Sequence, residues 1–413
     1  MKKLAASFVL LFLALSLFSG LQFVCSVSAN FLPASVPEHS IEITEDGDVT
    51  GTDLIQRGGN VYTFTGDVDG SIVVACDDVI IDGAGYTLQG NGKLTGVWLQ
   101  ERYNVEIKNL HIKNFHSGIL VTFGSSMDSY TNVTISGNTI KDNGCGIKFS
   151  MFIRGNNVLD NTIANNTYGV YIIYSSNNVF RNNRINQNKY NFWVTSELSS
   201  QMTEFVNDID DSNTVDGKPI IYWVNEHDKA VPSDAGYVAL IGCTNITVQN
   251  LVLTNNSQGV LLVATDDSLI ASNYIGGNFV GIAFQGSYGH CYNNVISRNN
   301  ITENAEDGIY SWGAPSTNVT ENSITNNQGA ALHFYESSNA YIVGNSITGN
   351  IEINDSANST VEQNDAEIPE DEIPDKIPEF PQWTPLLVMV VVMAVAIIYR
   401  QDIQKTRQER RQT

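Results

Sequence analysis

One six-residue phrase constrains this chain more than any other feature. Asn, any residue, Ile, two residues, Asn starts at Asn138, Asn161, Asn183, Asn273, Asn299, Asn322 and Asn345. Looser copies, keeping only the two Asn, start at Asn109 and Asn250. Steps between neighbouring copies are mostly 22 or 23 residues, with 26 at one place, 29 at another and 67 between Asn183 and Asn250. A fixed period of this size means stacked copies of one small unit, each burying its apolar face only against its neighbours.

The units are rich in Asn, Gly, Thr and Ile with alternating apolar residues, which excludes a helical unit. Four copies run on past the second Asn to a further apolar residue, Ile147, Val170, Phe192 and Ile282. Each unit therefore reads as a short strand, a polar corner and a second short strand. Asn and Gly at the corners tolerate the left-handed backbone that a tight bend needs. Stacked Asn side chains can also hydrogen-bond along the pile. The fold class expected is all-β: a parallel β-helix of roughly 22–23 residues per coil, with Ile, Val and Leu forming one continuous core. At about 4.8 Å per coil, ~11 to 12 coils make a rod roughly 55 Å long. A Thr/Asn-rich disordered linker is the alternative, and it conflicts with the phase that the Ile positions keep.

The flanks read differently. Residues 1–29 have a charged start, an apolar run from Leu4 to Phe18 and small residues at Val27-Ser28-Ala29, the pattern of a secretory signal peptide that includes Cys25. Residues 30–70 lack the phrase and are expected to cap the stack, which then runs over 71–363. No phrase falls between about 197 and 234, so this stretch is expected to leave the stack as an insertion, folded partly against its side. Its Asp208-Ile209-Asp210-Asp211 run lacks the spacing of an EF-hand loop and reads as a solvated acidic turn. Asp82, in a Gly-rich corner, reads as an acceptor of corner amides. Residues 364–379 form an acidic Pro-rich stalk. Residues 380–399 are mainly apolar and uncharged, enough for a transmembrane helix. Residues 400–413 carry Arg400, Lys405, Arg407, Arg410 and Arg411, which places this tail in the cytoplasm and the stack outside the cell membrane, a single-pass arrangement.

Charge narrows the partners. The chain carries a net −22, and between Asn30 and Tyr399 only 15 basic residues face 42 acidic ones. Such a surface repels nucleic acid and polyanions, whereas a neutral polysaccharide or glycan is compatible. Cys76, Cys145, Cys243 and Cys291 show no CxxC spacing and allow three pairings. Two or more coils separate them, so buried free thiols are expected. No Cys/His cluster has zinc or copper spacing, so no metal site and no cofactor are assigned. Sequons start at Asn132, Asn165, Asn245, Asn255, Asn300, Asn318, Asn354 and Asn358. An Asn/Thr-rich repeat makes sequons by chance, so partial occupancy is expected.

Side chains alternate along a strand. With Ile147, Val170, Phe192 and Ile309 inward, Tyr171, Trp193 and Tyr310 point outward, as do Trp312 and Tyr335. These five form a candidate platform for sugar rings, and the alternative is that loops cover them. Glu303, Glu306 and Asp307 lie near it, with Asp266 and Asp267 a coil or two earlier. Two carboxylates about 5 to 9 Å apart can run glycoside hydrolysis, so these five acids are the candidate catalytic residues.

The phrase itself, and the run Val79-Ile80-Ile81-Asp82-Gly83-Ala84-Gly85-Tyr86-Thr87-Leu88, resemble right-handed parallel β-helix repeat proteins. Asn213 to Asn225 (NTVDGKPIIYWVN), Asp234 to Leu240 (DAGYVAL) and Asn245 to Leu251 (NITVQNL) are similar to the NosD-like group, abundant on archaeal cell surfaces. The likeness covers roughly Ile72 to Glu362. It implies a pectin-lyase-like rod, often described as carbohydrate-binding or sugar-hydrolysing. The namesake is a periplasmic protein associated with copper-site assembly in nitrous oxide reductase. Pro378-Glu379-Phe380-Pro381, the apolar span and the basic end resemble archaeal sorting signals. The motifs of enzymes sharing the fold are missing: no DPH run as in alginate epimerases, no WIDH as in pectate lyases, no GHG or RIK as in polygalacturonases. Gly289-His290-Cys291 is the nearest and departs at its last place. Three readings stand: an anchored β-helix that binds or organises surface polysaccharide, a glycan-cleaving hydrolase or lyase, and an accessory factor for copper-enzyme maturation.

Overall fold

A computed structural model describes residues 40–123, 129–196, 202–286 and 291–364. The expected leader, transmembrane helix and basic tail lie outside the described residues, as does the stalk beyond Asn364. Within them the chain is an all-β parallel solenoid whose only helical element is one short 3₁₀ turn, Met202–Phe205.

The expected register holds. Ile140 lies over Ile163 and Ile163 over Ile185, and all three are almost completely buried. What fixes the register is a chain of Asn side chains. The backbone N–H and Nδ2 of Asn138 both donate to Asn161 Oδ1, at 3.0 Å each. Asn161 donates in the same way to Asn183, and Asn183 to Asn213. Each Nδ2 also reaches back to a carbonyl of the preceding coil, as Asn161 does to Ile135 at 2.8 Å. One amide thus satisfies backbone groups of two coils that no strand ladder could serve. A second column runs from Asn143 through Asn166 to Asn188, and a third from Asn156 through Asn178 to Asn207. The looser copies are offset: buried Leu110 and Leu251, not Asn109 and Asn250, take the ladder place. Asn109 and Asn250 instead turn the corner with φ of 53° and 58°.

Glycine at the second strand has a steric reason. A Cβ on Gly169 would stand 2.4 Å from the Asn191 carbonyl oxygen and 2.7 Å from the Ile185 side chain, so the coils close only without one. The N-terminal end is closed by Ser40–Ile43 and the antiparallel pair Ile55–Gly58 and Val61–Phe64, which bury Ile41, Ile43, Tyr62 and Phe64.

One expectation is corrected: the core is not continuous. Strands of the stretch expected to leave the stack remain on it where they are described. Asp208–Ile209 pairs with Val179–Arg181, and Thr214–Val215 with Arg184–Asn186. The chain then reverses through Asp216-Gly217 and pairs Thr214–Val215 antiparallel with Lys218–Val224. That reversal ends one solenoid and begins another. Before it, the Asn-x-Ile strands lie on the long 14-stranded sheet; after it, that same sheet carries the second strands of each unit instead. The repeat has moved round by one face. Asp216 ties the joint, accepting from Gln187 N at 2.8 Å, Asn191 Nδ2 at 2.9 Å and Asn255 Nδ2 at 3.2 Å.

Both faces of the new sheet are buried near the joint. Val238, Leu240, Val260 and Leu262 face the second core, while Tyr237, Ala239, Ile241, Leu261 and Val263 join the first. The outer wall of the second solenoid therefore stoppers the open end of the first, with Tyr237 packed on Phe192 at 5.5 Å between ring centroids. Burying these side chains replaces the polar terminal cap that a solenoid otherwise needs.

Asn161→Ala should destabilise the fold by about 2–4 kcal/mol, because it strands two buried donors of Asn138 and one carbonyl. Exposed Thr167→Ala should stay within about 0.5 kcal/mol. Chemical denaturation of both variants checks this.

Candidate functional site

The outward side chains of the second strands decide what each solenoid can present. On the first, Trp98, Leu120, Lys148, Tyr171 and Trp193 stand in one column, coil over coil. Tyr171 and Trp193 stack at 4.7 Å and 20° but do not form the open platform expected of them. They are 5% and 7% exposed, enclosed with Tyr168, Phe152, Tyr174 and Phe279. The cause is the joint, which brings Phe279 of the second solenoid to 4.9 Å from Trp193. Lys148 Nζ lies 5.3 Å from the Tyr171 ring and keeps this cluster's rim polar.

The second solenoid leaves its column open. Ala283, Tyr310, His333 and Glu352 follow one another in register, and two residues further along each strand come Gln285, Trp312, Tyr335 and Asn354. Tyr310, Trp312, His333 and Tyr335 are all half-buried. Tyr310 meets His333 edge-on at 5.3 Å and 89°, and Trp312 Nε1 donates to Glu336 Oε2 at 3.2 Å.

Two of the expected acids sit at the head of this column. Asp307 is buried; one oxygen accepts from Ala330 N at 2.8 Å and the other lies 3.2 Å from His333 Nδ1. Gly329 makes room for it, since a Cβ there would stand 2.5 Å from Asp307 Oδ1. Glu306 is half-buried, its backbone pinned to Phe279 and Gly329. Burial first, and the Asp307 charge second, push the Glu306 carboxyl above its ordinary pKa. Burial works against a charged His333, but the hydrogen bond and charge of Asp307 and the charge of Glu352 outweigh it and raise the imidazole pKa. The arrangement is a carboxyl with a raised pKa beside a hydrogen-bonded carboxylate–imidazole pair, next to half-exposed rings.

The other three expected acids are elsewhere. Glu303 is exposed at the preceding corner with φ of 57°. Asp266 and Asp267 follow the far end of the second strand, where they accept from Tyr292 N at 2.7 Å and Asn293 Nδ2 at 3.1 Å. These two acids hold a corner and do not join Glu306 and Asp307. His333 and Glu352 were missed because Ala331 stands where the repeat has Gly, which hides the strand Leu332–Tyr335 from the phrase. The alternation Leu332-His333-Phe334-Tyr335, in phase with Ile309-Tyr310-Ser311-Trp312, was the available signal.

Among protein families, the model described as "Periplasmic copper-binding protein (NosD)" matches residues 224–368, and the right handed beta helix region matches 72–228. The chain is a NosD-like right-handed β-helix repeat protein. No curated protein matches it significantly. Several solved structures are similar. The GH136 lacto-N-biosidase of Eubacterium ramulus is 12% identical over 75% of this chain and 59% of that one, with a TM-score of 0.26. The periplasmic alginate epimerase AlgG is 13% identical over 76% and 78%, at 0.25. The catalytic unit of the GH87 alpha-1,3-glucanase of Streptomyces thermodiastaticus is 11% identical over 80% and 70%, at 0.28. This NosD-like chain thus spans less than two thirds of the biosidase. Likenesses of this size carry no argument about its activity.

The family description raises copper, and the residues do not fit it. Copper sites are built from clustered thiolates, thioethers or imidazoles. Burial pushes the thiols of Cys145 and Cys291 up to about 12 and raises that of Cys243, so all three keep their protons. Among the described residues, no group of three or more His, Cys, Asp and Glu is placed to hold a metal ion.

Glu306 and His333 both have folded pKa values above their unfolded ones. Each therefore favours the fold at low pH, and that contribution is withdrawn as pH rises through the raised value. The stability advantage of the parent over His333→Gln should shrink between about pH 6 and about pH 8, the range around an ordinary imidazole. Melting temperatures of both proteins across that range test it.

Proposed function

We propose that this protein binds neutral polysaccharide along the outer face of its second solenoid, at Tyr310, Trp312, His333 and Tyr335. The observation that carries this reading is the register of Trp312 over Tyr335 on neighbouring strands, both half-exposed beside Glu336. Rings repeating at the ~4.8 Å strand spacing offer the apolar faces of successive sugars a continuous track. The acidic surface around them disfavours uronates and admits uncharged glycans.

We also propose that residues 1–29 export the chain and 380–399 anchor it, so that the solenoids stand on the outer side of the membrane. Among the sequons, Asn165, Asn300, Asn354 and Asn358 are exposed and their side-chain amides make no hydrogen bond to any described residue. Asn132, Asn245 and Asn255 are committed to Asn104, Asp228 and Asp216, and Asn318 is half-buried. Glycans are expected at the first four before the others.

A second reading, cleavage of the bound glycan, is favoured by the placement of Glu306 and Asp307 at the head of the same column. Glu306 would protonate the leaving oxygen, with Asp307 and His333 holding the charge opposite. The copper-maturation reading is supported by the family match over residues 224–368, with no ligand cluster among the described residues beside it.

The double variant Trp312→Ala, Tyr335→Ala should weaken retention on an insoluble neutral polysaccharide at least about tenfold, the scale of losing two ring contacts. Unchanged retention would overturn the binding reading. For cleavage, new reducing ends should appear with the parent protein and vanish with Glu306→Gln; their absence from the parent across a panel of neutral glycans would end that reading alone.

A further inference from the structure

The joint between the solenoids opens a cleft of about 700 Å³, lined by none of the residues of the aromatic track. One wall is the last coil of the first solenoid, with Asn177, Asp208, Asp210 and Asp211. The other is the first strand of the second solenoid, with Trp223, and Pro232 closes one side. Five consecutive residues of that strand, Ile220 to Val224, line the cleft. Side chains alternate, so only a strand edge can line a cavity in this way. The edge is free for a topological reason. Lys218–Val224 pairs along one side with Tyr237–Ile241, whereas Thr214–Val215 reaches only Lys218 and Pro219 on the other. Backbone groups of a strand alternate between its two edges, and Ile220 N donates to Asn213 O, so the N–H and C=O of Tyr222 and Val224 face the cleft with no strand partner among the described residues.

The opposite wall is acidic and ordered. Arg181 binds Asp208 at 2.6 Å and Asp210 at 3.0 Å, which fixes both carboxylates and neutralises part of their charge. Asp211 is exposed and makes no hydrogen bond or ion pair with any described residue. Trp223 is half-buried against the second core, with Lys229 Nζ 5.6 Å from its ring and Lys229 held in turn by Glu226.

We infer that this cleft is a separate binding site for a short neutral oligosaccharide. Its groups match such a ligand one for one. Carboxylates accept from sugar hydroxyls, the backbone of Tyr222 and Val224 both donates and accepts, and Trp223 adds apolar surface to the lining for the C–H groups of a pyranose ring. The volume lies within the range of small-ligand clefts. An extended peptide is a poorer occupant, because the edge offers the backbone groups of only two residues, Tyr222 and Val224, and the facing strand, Asp208–Ile209, has two. The ligand class rests on the polysaccharide reading of the outer face; the location does not, since none of the cleft residues belongs to that track.

Calorimetric titration of the full chain with a panel of neutral di- to tetrasaccharides tests the site. The expected result is binding that is insensitive to added salt and weakened at least about tenfold by Trp223→Ala and by Asp211→Asn. Asp211 is exposed, so its variant reports on the cleft even if Trp223→Ala fails to fold. Binding that survives both cleft substitutions, or no uptake of any sugar in the panel, would overturn the inference. If uptake is absent while the protein is still retained on insoluble polysaccharide, only the cleft falls. If both are absent, the glycan reading of the outer face falls with it.

Discussion

The structure depends on one interaction, the bidentate use of a buried Asn oxygen by the coil before it. Asn161 Oδ1 takes the backbone and side-chain N–H of Asn138, and its own Nδ2 returns to Ile135. A corner in a tightly wound solenoid breaks the strand ladder and leaves amides facing a dry interior. Each would cost about 1–3 kcal/mol if unpaired. The Asn column removes that cost and, because the amide must lie directly above its partner, sets the register of every strand between corners. The isoleucines are in phase because the asparagines are.

That constraint also explains where the stack changes. The first column ends at Asn213, 30 residues after Asn183 rather than 22 or 23. The extra residues fall between Thr195 and Asp208, ahead of the Asp216-Gly217 reversal, after which the repeat resumes on a different face of the same long sheet. The joint has three effects that follow from one another. It stoppers the first core with the wall of the second, it buries the Tyr171 and Trp193 pair under Phe279, and it leaves one edge of Lys218–Val224 beyond Ile220 without a strand partner among the described residues. Places where a solenoid departs from its own repeat are where its surface becomes particular.

The acidic head of the outer column follows the same logic. Asp307 is tolerated in a buried place because Gly329 leaves space above it and because Ala330 N and His333 satisfy both oxygens. Its charge keeps His333 cationic to higher pH and makes Glu306 harder to ionise. Two neighbouring acids in sequence thus acquire different surroundings, Asp307 buried against an imidazole and Glu306 half-buried with its pKa raised by burial and by the Asp307 charge.

Sequence alone determined the local rules: the 22–23-residue period, the inward Ile and outward aromatic alternation, the Asn corners, the scattered thiols and the acidic balance. These follow from side-chain periodicity and backbone preference within a few residues, which is information the chain carries locally. Glu306, Asp307, Tyr310, Trp312 and Tyr335 were legible as neighbours on that basis. Tertiary structure decided what spans coils that no phrase links. It divided the core in two, covered Tyr171 and Trp193, sent Asp266 and Asp267 to another corner, brought His333 and Glu352 into the column and opened the cleft at Trp223. The physical reason is that the reversal at Asp216-Gly217 rotates the stack. Contacts made across that rotation depend on the angle between two rods, a quantity with no signature in the repeat.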